Sequence, residues 1–311
     1  MATKWNSKEA KEQLEQAVKT RNRFIGGKVR VDVYKNNMAI FEDWCYETEN
    51  GKIVGLPNKQ QMLDATKVYR EAFTVAEIAA EPGKTEVYAV DEDAMVEGKR
   101  LIDRGLNPAI LNLADAYHAC GKYNGGANAQ EESLCRATTL SQCLYQYFNK
   151  TWAGKAGVEL RPQSAYPMDI NFGGIYSKVT CFRHGPKEGY ALMDAPFDTA
   201  IISVAALNFR EGHKTANLQY RSADGGFTPE GDVVMRNKMR TIYRIALSNG
   251  HDSVVLGAFG CGVFCLIPEL VAQMFLEVLQ EPEFKNKFKT VAFAILGEKN
   301  CKPFINMIEN Q

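Results

Sequence analysis

The 311-residue sequence has no apolar run approaching the ~18–20 residues that a membrane span requires, and residues 1–19 are polar and helix-prone. Neither a membrane helix nor a secretory leader is therefore expected. Charge of one sign is also lacking, with 37 basic against 37 acidic residues. This balance argues against binding to a nucleic-acid backbone, which needs a basic excess, and no direct sequence-specific nucleic-acid partner is expected. Only four histidines occur, scattered at 118, 184, 213 and 251, and Cys261-x3-Cys265 lacks a second pair at zinc-finger spacing. No metal site is expected. The eight cysteines are too sparse for a secreted disulfide scaffold. They read as reduced thiols in a cytoplasmic protein, or a nuclear one in a eukaryote. There is no internal repeat, no low-complexity segment and no Gly-x-Gly-x-x-Gly fingerprint, so a nicotinamide cofactor is not favoured. What is present is ordinary globular composition, 45% hydrophobic and 24% charged. That suffices for one large α/β domain with an accessory segment, or for two small domains.

The patterning divides the chain near Ala80-Glu81-Pro82-Gly83, where Pro-Gly marks a turn. Before it, residues 4–22 read as an amphipathic helix ended by Gly26-Gly27, residues 28–34 alternate like a strand, and residues 59–73 read as a helix. After it, strands over 85–90, 108–114, 175–182, 199–207, 253–259 and 290–296 alternate with helices over 94–103, 128–148 and around Met235, Met239, Ile242 and Tyr243. Gly250 stands at the expected stop of that last helix, and Pro268 opens the next in its first position. This alternation predicts a three-layer α/β/α mixed sheet over residues 81–311, preceded by a mainly helical accessory segment over residues 1–80.

Ligands of such sheets sit where strands lead into loops and helix N-termini. Two loops have the right composition. In the first, Leu256-Gly257-Ala258-Phe259-Gly260-Cys261-Gly262-Val263-Phe264, the glycines let backbone amides approach an anion, or serve a tight turn that needs positive φ. The second runs from Asn112 and Asp115 through Gly121, Lys122 and Tyr123 to Gln130-Glu131-Glu132 at the start of a helix. There Asn128 reads as the N-cap and Glu131 as its capping-box partner. Glu132 is left over. It is either a solvated first-turn acid favoured by the helix dipole or a carboxylate able to protonate a leaving group. His118 reads as a loop hydrogen-bonding residue, and Asp91 and Asp93 as solvated loop acids with adenine contact as the alternative.

Taken together, these segments resemble the bacterial-type poly(ADP-ribose) glycohydrolases, a macrodomain family whose signature is a glycine triplet, a short spacer and Gln-Glu-Glu. Here Cys120-Gly121-Lys122, seven residues and Gln130-Glu131-Glu132 align with it without a gap. The resemblance continues in Ser133-Leu134-Cys135-Arg136, Gly174-Ile175-Tyr176-Ser177, Cys181-Phe182-Arg183, Ala205-Ala206-Leu207-Asn208 and the 256–264 loop. It implies a hydrolase acting at C1″ of ADP-ribose, with Glu132 as general acid and then base. Gln130 and Glu131 would hold the site, with Glu131 also available to the terminal ribose. Gly260, Cys261, Gly262 and Val263 would offer amides to the diphosphate, and Phe264 would pack on the proximal ribose. Asn112, Gly121, Lys122 and Tyr123 are expected to line the ligand. No cofactor is implied; ADP-ribose is substrate or product, and the partner is poly(ADP-ribose) or an ADP-ribosylated protein.

Three departures bear on the substrate. Cys120 and Lys122 replace signature glycines and should narrow the space beside the diphosphate, although Lys122 also offers it a charge. Asp115 stands where relatives carry asparagine or a small polar residue, and could accept from ribose hydroxyls or act as a second carboxylate polarising a guanidinium leaving group. A mono-ADP-ribosyl protein, arginine-linked among others, is thus a rival substrate to the polymer. A non-catalytic ADP-ribose reader is the alternative function.

Overall fold

Strands at the centre of a parallel sheet are buried on both faces and read as continuous apolar runs, as residues 108–113, 253–256 and 290–294 do. A computed structural model of the chain describes residues 2–75 and 83–310. It forms two compact units: Met1–Lys67 with Tyr117–Pro167 and Ser177–Thr199, and Val68–Ala116 with Met168–Tyr176 and Ala200–Gln311. In chain order the helices are α1 (Ser7–Lys19), α2 (Arg23–Asp43), α3 (Lys59–Asp64), α4 (Ala94–Asp103), α5 (Gln130–Ala137), α6 (Leu140–Tyr145), α7 (Lys150–Ala156), α8 (Pro229–Ser248), α9 (Pro268–Leu279) and α10 (Glu298–Glu309). The strands are β1 (Cys45–Glu47), β2 (Ile53–Gly55), β3 (Lys67–Tyr69), β4 (Glu86–Val90), β5 (Pro108–Leu113), β6 (Gly174–Arg183), β7 (Leu192–Val204), β8 (Ser253–Leu256) and β9 (Thr290–Ala294).

The main sheet is mixed and seven-stranded, in the order β3-β6-β7-β5-β8-β9-β4. Its core is parallel: β5 pairs with β7 from Ala109↔Ala200 to Leu113↔Val204 and with β8 from Pro108↔Ser253, while β9 pairs with β8 and β4. Alternation along β5 shows the layers. Ala109 and Leu111 join Met235, Met239 and Tyr243 of α8 and Phe275 of α9 in one core. Ile110 points the other way, against Gly98 of α4, where an added Cβ would lie 2.5 Å from its Cδ1. The three-layer expectation holds, and the parallel pairing brings the loops after β5, β7 and β8 to one end of the sheet.

The other unit departs from the local reading in instructive ways. Residues 28–34 are not a strand but the middle of α2, and Gly26-Gly27 lies inside that helix rather than ending one. Val29, Val31 and Val33 imitate strand alternation, yet the buried positions Gly26, Val29, Val33, Asn37 and Ile40 follow the helical period. The true break is at Arg21, with φ of 52°, followed by Asn22, whose side chain accepts from Phe24 N–H at 3.0 Å. The helix expected over 59–73 stops at Asp64. The long helix expected over 128–148 is interrupted at Thr138, which is extended. Its interruption has a clear cause, because β6 captures the chain: Thr138 bridges Cys181, and Thr139 N–H donates to Thr180 O at 3.1 Å. Threonine hydroxyls complete the diversion, with Thr180 N–H donating to Thr139 Oγ1 at 3.1 Å. The proposed division between residues 80 and 81 falls at positions outside the described residues.

Candidate active site

The Asn128 capping box does not form. Helix α5 begins at Gln130 with Ala129 as N-cap and no side-chain capping bond. Glu131 and Glu132 instead turn inward, only 3% and 6% exposed, while Gln130 stays half-buried. The two oxygens of Glu132 have different fates. Oε1 accepts the Lys122 N–H at 2.9 Å, whereas Oε2 is buried with no hydrogen-bond partner among the described residues. An orphaned buried oxygen costs roughly 1–3 kcal/mol, and a catalytic role is one of the reasons for which native folds retain such an atom, beside strain and an ordered water.

Gly121 makes this carboxylate's position available. Its φ is +52°, and an added Cβ would sit 2.5 Å from Glu132 Oε1 and 3.3 Å from Glu131 Oε2. The acids therefore rest directly on the glycine backbone. The two neighbouring departures from the glycine triplet behave differently from each other. Cys120 also has a left-handed backbone, φ 62°, but its buried thiol lies beside Cys135 and Tyr145, and desolvation pushes its pKa up. Lys122 is exposed.

Tyr123, expected at the ligand, is 1% exposed and forms the rear support of this loop. Its ring meets Tyr34 edge-on at 4.9 Å, and its hydroxyl accepts from Asn37 Nδ2 at 2.7 Å. The same Nδ2 donates to Arg136 O at 2.9 Å, so one amide on α2 ties the glycine loop to the end of α5. Asn37 Oδ1 in turn accepts from Arg183 Nε at 3.0 Å and from its terminal nitrogen at 2.8 Å. Arg183 is 1% exposed; burial lowers its pKa to about 9, with Tyr123, Tyr46 and Tyr190 opposing. Sequence reasoning did not find Asn37. The available signal was an arginine at 183 ending an apolar strand, a buried cation in need of partners. Replacing Asn37 with leucine is expected to cost about 3 kcal/mol, because it takes the partner from the buried Arg183 Nε, leaving that guanidinium only Tyr190 O and Asn36 Oδ1, and breaks both ties. Urea unfolding checks this; a loss below ~1 kcal/mol would show that water substitutes for the amide.

In the second unit the sequence-expected residues gather at the carboxyl ends of β5, β7 and β8. Asn112 is buried within the sheet, its Nδ2 donating to Ser203 Oγ at 2.9 Å. Asp115 is half-buried just beyond β5. In the 257–264 loop the four expected amides are not equivalent. Cys261 N–H is committed to Ala258 O at 3.0 Å. The amides of Gly260, Gly262, Val263 and Phe264 make no backbone hydrogen bond among the described residues. Gly262 and Val263 are exposed, Val263 at 58%. Phe264 is half-buried against the core, and its carbonyl accepts from Phe209 N–H at 2.8 Å, tying this loop to the one after β7. Asn208 braces that second loop: its backbone N–H donates to Asn217 Oδ1 at 2.9 Å, and its Oδ1 accepts from Arg210 N–H at 3.0 Å.

Gly121, Lys122, Glu131 and Glu132 thus assemble in one unit, and Asn112, Asp115 and the 260–264 amides in the other. His118 is exposed, edge-on to Phe148 at 6.1 Å. Among the described residues no group of three or more His, Cys, Asp or Glu could hold a metal, and no helix is long and apolar enough to cross a membrane.

A three-layer α/β sheet with amide-bearing loops at its strand ends defines a macrodomain-like protein, and the other unit carries a buried pair of first-turn carboxylates on a glycine backbone. Residues 35–184 match the family model described as microbial-type PARG, catalytic domain. That stretch contains Asn37, the glycine loop, both glutamates and Arg183. Among solved structures, the poly(ADP-ribose) glycohydrolase of Thermomonospora curvata is 25% identical, with TM-score 0.70, over 89% of this chain and 98% of that one. The same protein bound to the inhibitor ADP-HPD aligns with TM-score 0.69 at 25% identity over the same shares of the two chains. The poly(ADP-ribose) glycohydrolase of Deinococcus radiodurans in complex with ADP-ribose is 26% identical, with TM-score 0.61, over 83% of this chain and 99% of that one. No curated protein sequence matches. The family resemblance and fold class read from the sequence are both borne out.

Proposed function

We propose that the chain is an ADP-ribosyl glycohydrolase that cleaves the glycosidic bond at C1″ of ADP-ribose. The observation that carries this is Glu132, on the first turn of α5: one oxygen is fixed by a backbone amide, and the other is buried with no hydrogen-bond partner among the described residues. Glycosidic cleavage through an oxocarbenium-like state needs a proton for the leaving oxygen and then a base for water. A carboxyl group with one face anchored and one unoccupied can do both in turn. Glu131 beside it suits the hydroxyls of the terminal ribose. The amides of Gly262, Val263 and Phe264, with that of Gly260, suit the diphosphate as preoriented dipoles that need no reorganisation during reaction; Cys261 would contribute by packing rather than by its amide. The likeness to enzymes bound to ADP-ribose and to ADP-HPD supports the same ligand here.

The poly(ADP-ribose) polymer is the substrate best supported by the similar proteins. The half-buried Asp115 keeps mono-ADP-ribosyl protein, including the arginine linkage, as a second substrate. We also place the protein in a reducing, cytoplasmic setting, since eight cysteines in 311 residues are too sparse for a secreted disulfide scaffold. Offering polymer alongside serine-, glutamate- and arginine-linked mono-ADP-ribosyl protein, with released ADP-ribose read by mass spectrometry, tests the proposal. Release from at least one is expected. Tight ADP-ribose binding by calorimetry with release from none would make the protein a reader instead.

A further inference from the structure

Residues 16–31, between Glu15 and Asp32, contain five cations and no acid. This stretch forms the corner between α1 and α2. Lys19, Arg21, Arg23 and Lys28 are all exposed there, and among the described residues none has an ion-pair partner. Two large apolar side chains stand out with them, Val18 at 78% and Phe24 at 81% exposure. A bare phenyl ring among unpaired cations is poorly explained by stability. It is the composition of surfaces that track an anionic chain while stacking its bases.

The corner is also tied to the catalytic loop. Gly126, at φ +73°, lies so close to α2 that an added Cβ would be 2.4 Å from Gly27 O. The fifth cation, Arg30, donates from Nε to Gly126 O at 2.7 Å. Lys28 thus flanks the contact, and Phe24 lies one helical turn before it. On the loop itself, Ala127 N–H donates to Lys122 O at 3.3 Å. Lys122 adds a further exposed cation next to the amide that fixes Glu132. A basic track therefore runs from the acid-bearing loop, past Lys28, to Phe24, Arg23, Arg21 and Lys19.

We propose that this corner binds the polymer beyond the unit being cleaved. Diphosphates of neighbouring ADP-ribose repeats lie on the cations, and an adenine stacks on Phe24. The assignment rests on the glycohydrolase reading. Charge complementarity identifies the occupant: each repeat supplies an anionic diphosphate and a flat base, matching a corner whose residues 16–31 hold five cations, an exposed aromatic ring and no acid. It gives the N-terminal segment a role in substrate choice, favouring polymer over single ADP-ribosyl groups.

The test compares three proteins for binding to ADP-ribose and to ADP-ribose oligomers of defined length, all in an E132Q background expected to slow turnover about 10²–10⁴-fold. These are the parent, the triple variant K19E/R21E/R23E, and F24A. The triple variant is expected to weaken oligomer binding about 100-fold and to flatten its log–log salt dependence by roughly 2, at ~0.7 per phosphate contact. F24A is expected to lose about 10-fold on oligomers. Both should bind monomeric ADP-ribose as the parent does. Equal oligomer affinity in all three overturns the corner while leaving the glycohydrolase reading intact, since that reading is judged separately by ADP-ribose release from the wild type. An RNA oligomer of equal charge that binds the corner as tightly as the ADP-ribose oligomer overturns the occupant.

Discussion

Glu132→Gln is expected to lower kcat by about 10²–10⁴-fold, the usual worth of general acid–base catalysis, while ADP-ribose binding is retained. Glutamine keeps the shape of the side chain, and its carbonyl oxygen can still accept the Lys122 N–H that holds Oε1 at 2.9 Å. What disappears is the ability to give and take a proton at the other position, the oxygen left without a partner. Single-turnover kinetics and calorimetry separate the two effects. A variant with wild-type kcat and a raised KM would mean that Glu132 only binds, and would sink the mechanism. The same substitution has a second, opposite consequence. A buried carboxylate with an unsatisfied oxygen burdens the fold, so the neutral amide should melt at the same temperature as the wild type or higher. Activity lost with stability kept or gained is the signature of a group retained for chemistry.

Gly121→Ala is the second large effect. A methyl group at this position would lie 2.5 Å from Glu132 Oε1 and 3.1 Å from its Cδ, on a backbone at φ +52°. The left-handed backbone alone costs ~1–2 kcal/mol for a residue with a Cβ. The clash is more damaging to function, because the carboxylate that must move is the proposed acid. A displacement of about 1 Å is worth roughly 10²-fold in rate. Turnover is expected to fall by about that factor, beyond any loss explained by unfolded protein. Gly126→Ala provides the comparison. Its Cβ would meet Gly27 O at 2.4 Å and Val31 Cγ2 at 3.0 Å, and neither glutamate is among its three nearest contacts. It should therefore reduce stability, with kcat per folded molecule much less affected. If both alanine variants reduce kcat equally, the contact between Gly121 and Glu132 has no special role.

The parts of this site that were legible beforehand are local ones. A glycine loop, a spacer and Gln130-Glu131-Glu132 lie within thirteen residues of one another, counted from Cys120, so their spacing alone carries the pattern. The parallel strands were legible for the same reason, since burial on both faces writes a continuous apolar run into each. Errors arose wherever a distant segment overruled a local preference. Asn128 has the composition of a cap, yet α5 starts one residue after Ala129 and its glutamates face inward. Threonines at 138 and 139 could have continued a helix, but β6 offered them strand partners. Asn37 looks like any polar residue on a helix. Its importance appears only when Arg183, 146 positions away, is found to need its oxygen.

The sequence by itself determined the chemical inventory: two adjacent carboxylates at a helix start, a glycine on which they can rest, and loops rich in available amides. Residue type and short spacing are enough for that, because a helix turn and a glycine loop are built from near neighbours. Only the tertiary structure decided how those groups differ. It turned Glu131 and Glu132 out of water, satisfied one oxygen of Glu132 and left the other open. It also bound up the Cys261 amide while leaving Gly262, Val263 and Phe264 without backbone partners among the described residues. Desolvation and hydrogen-bond satisfaction depend on everything packed around an atom, and most of those neighbours come from far along the chain.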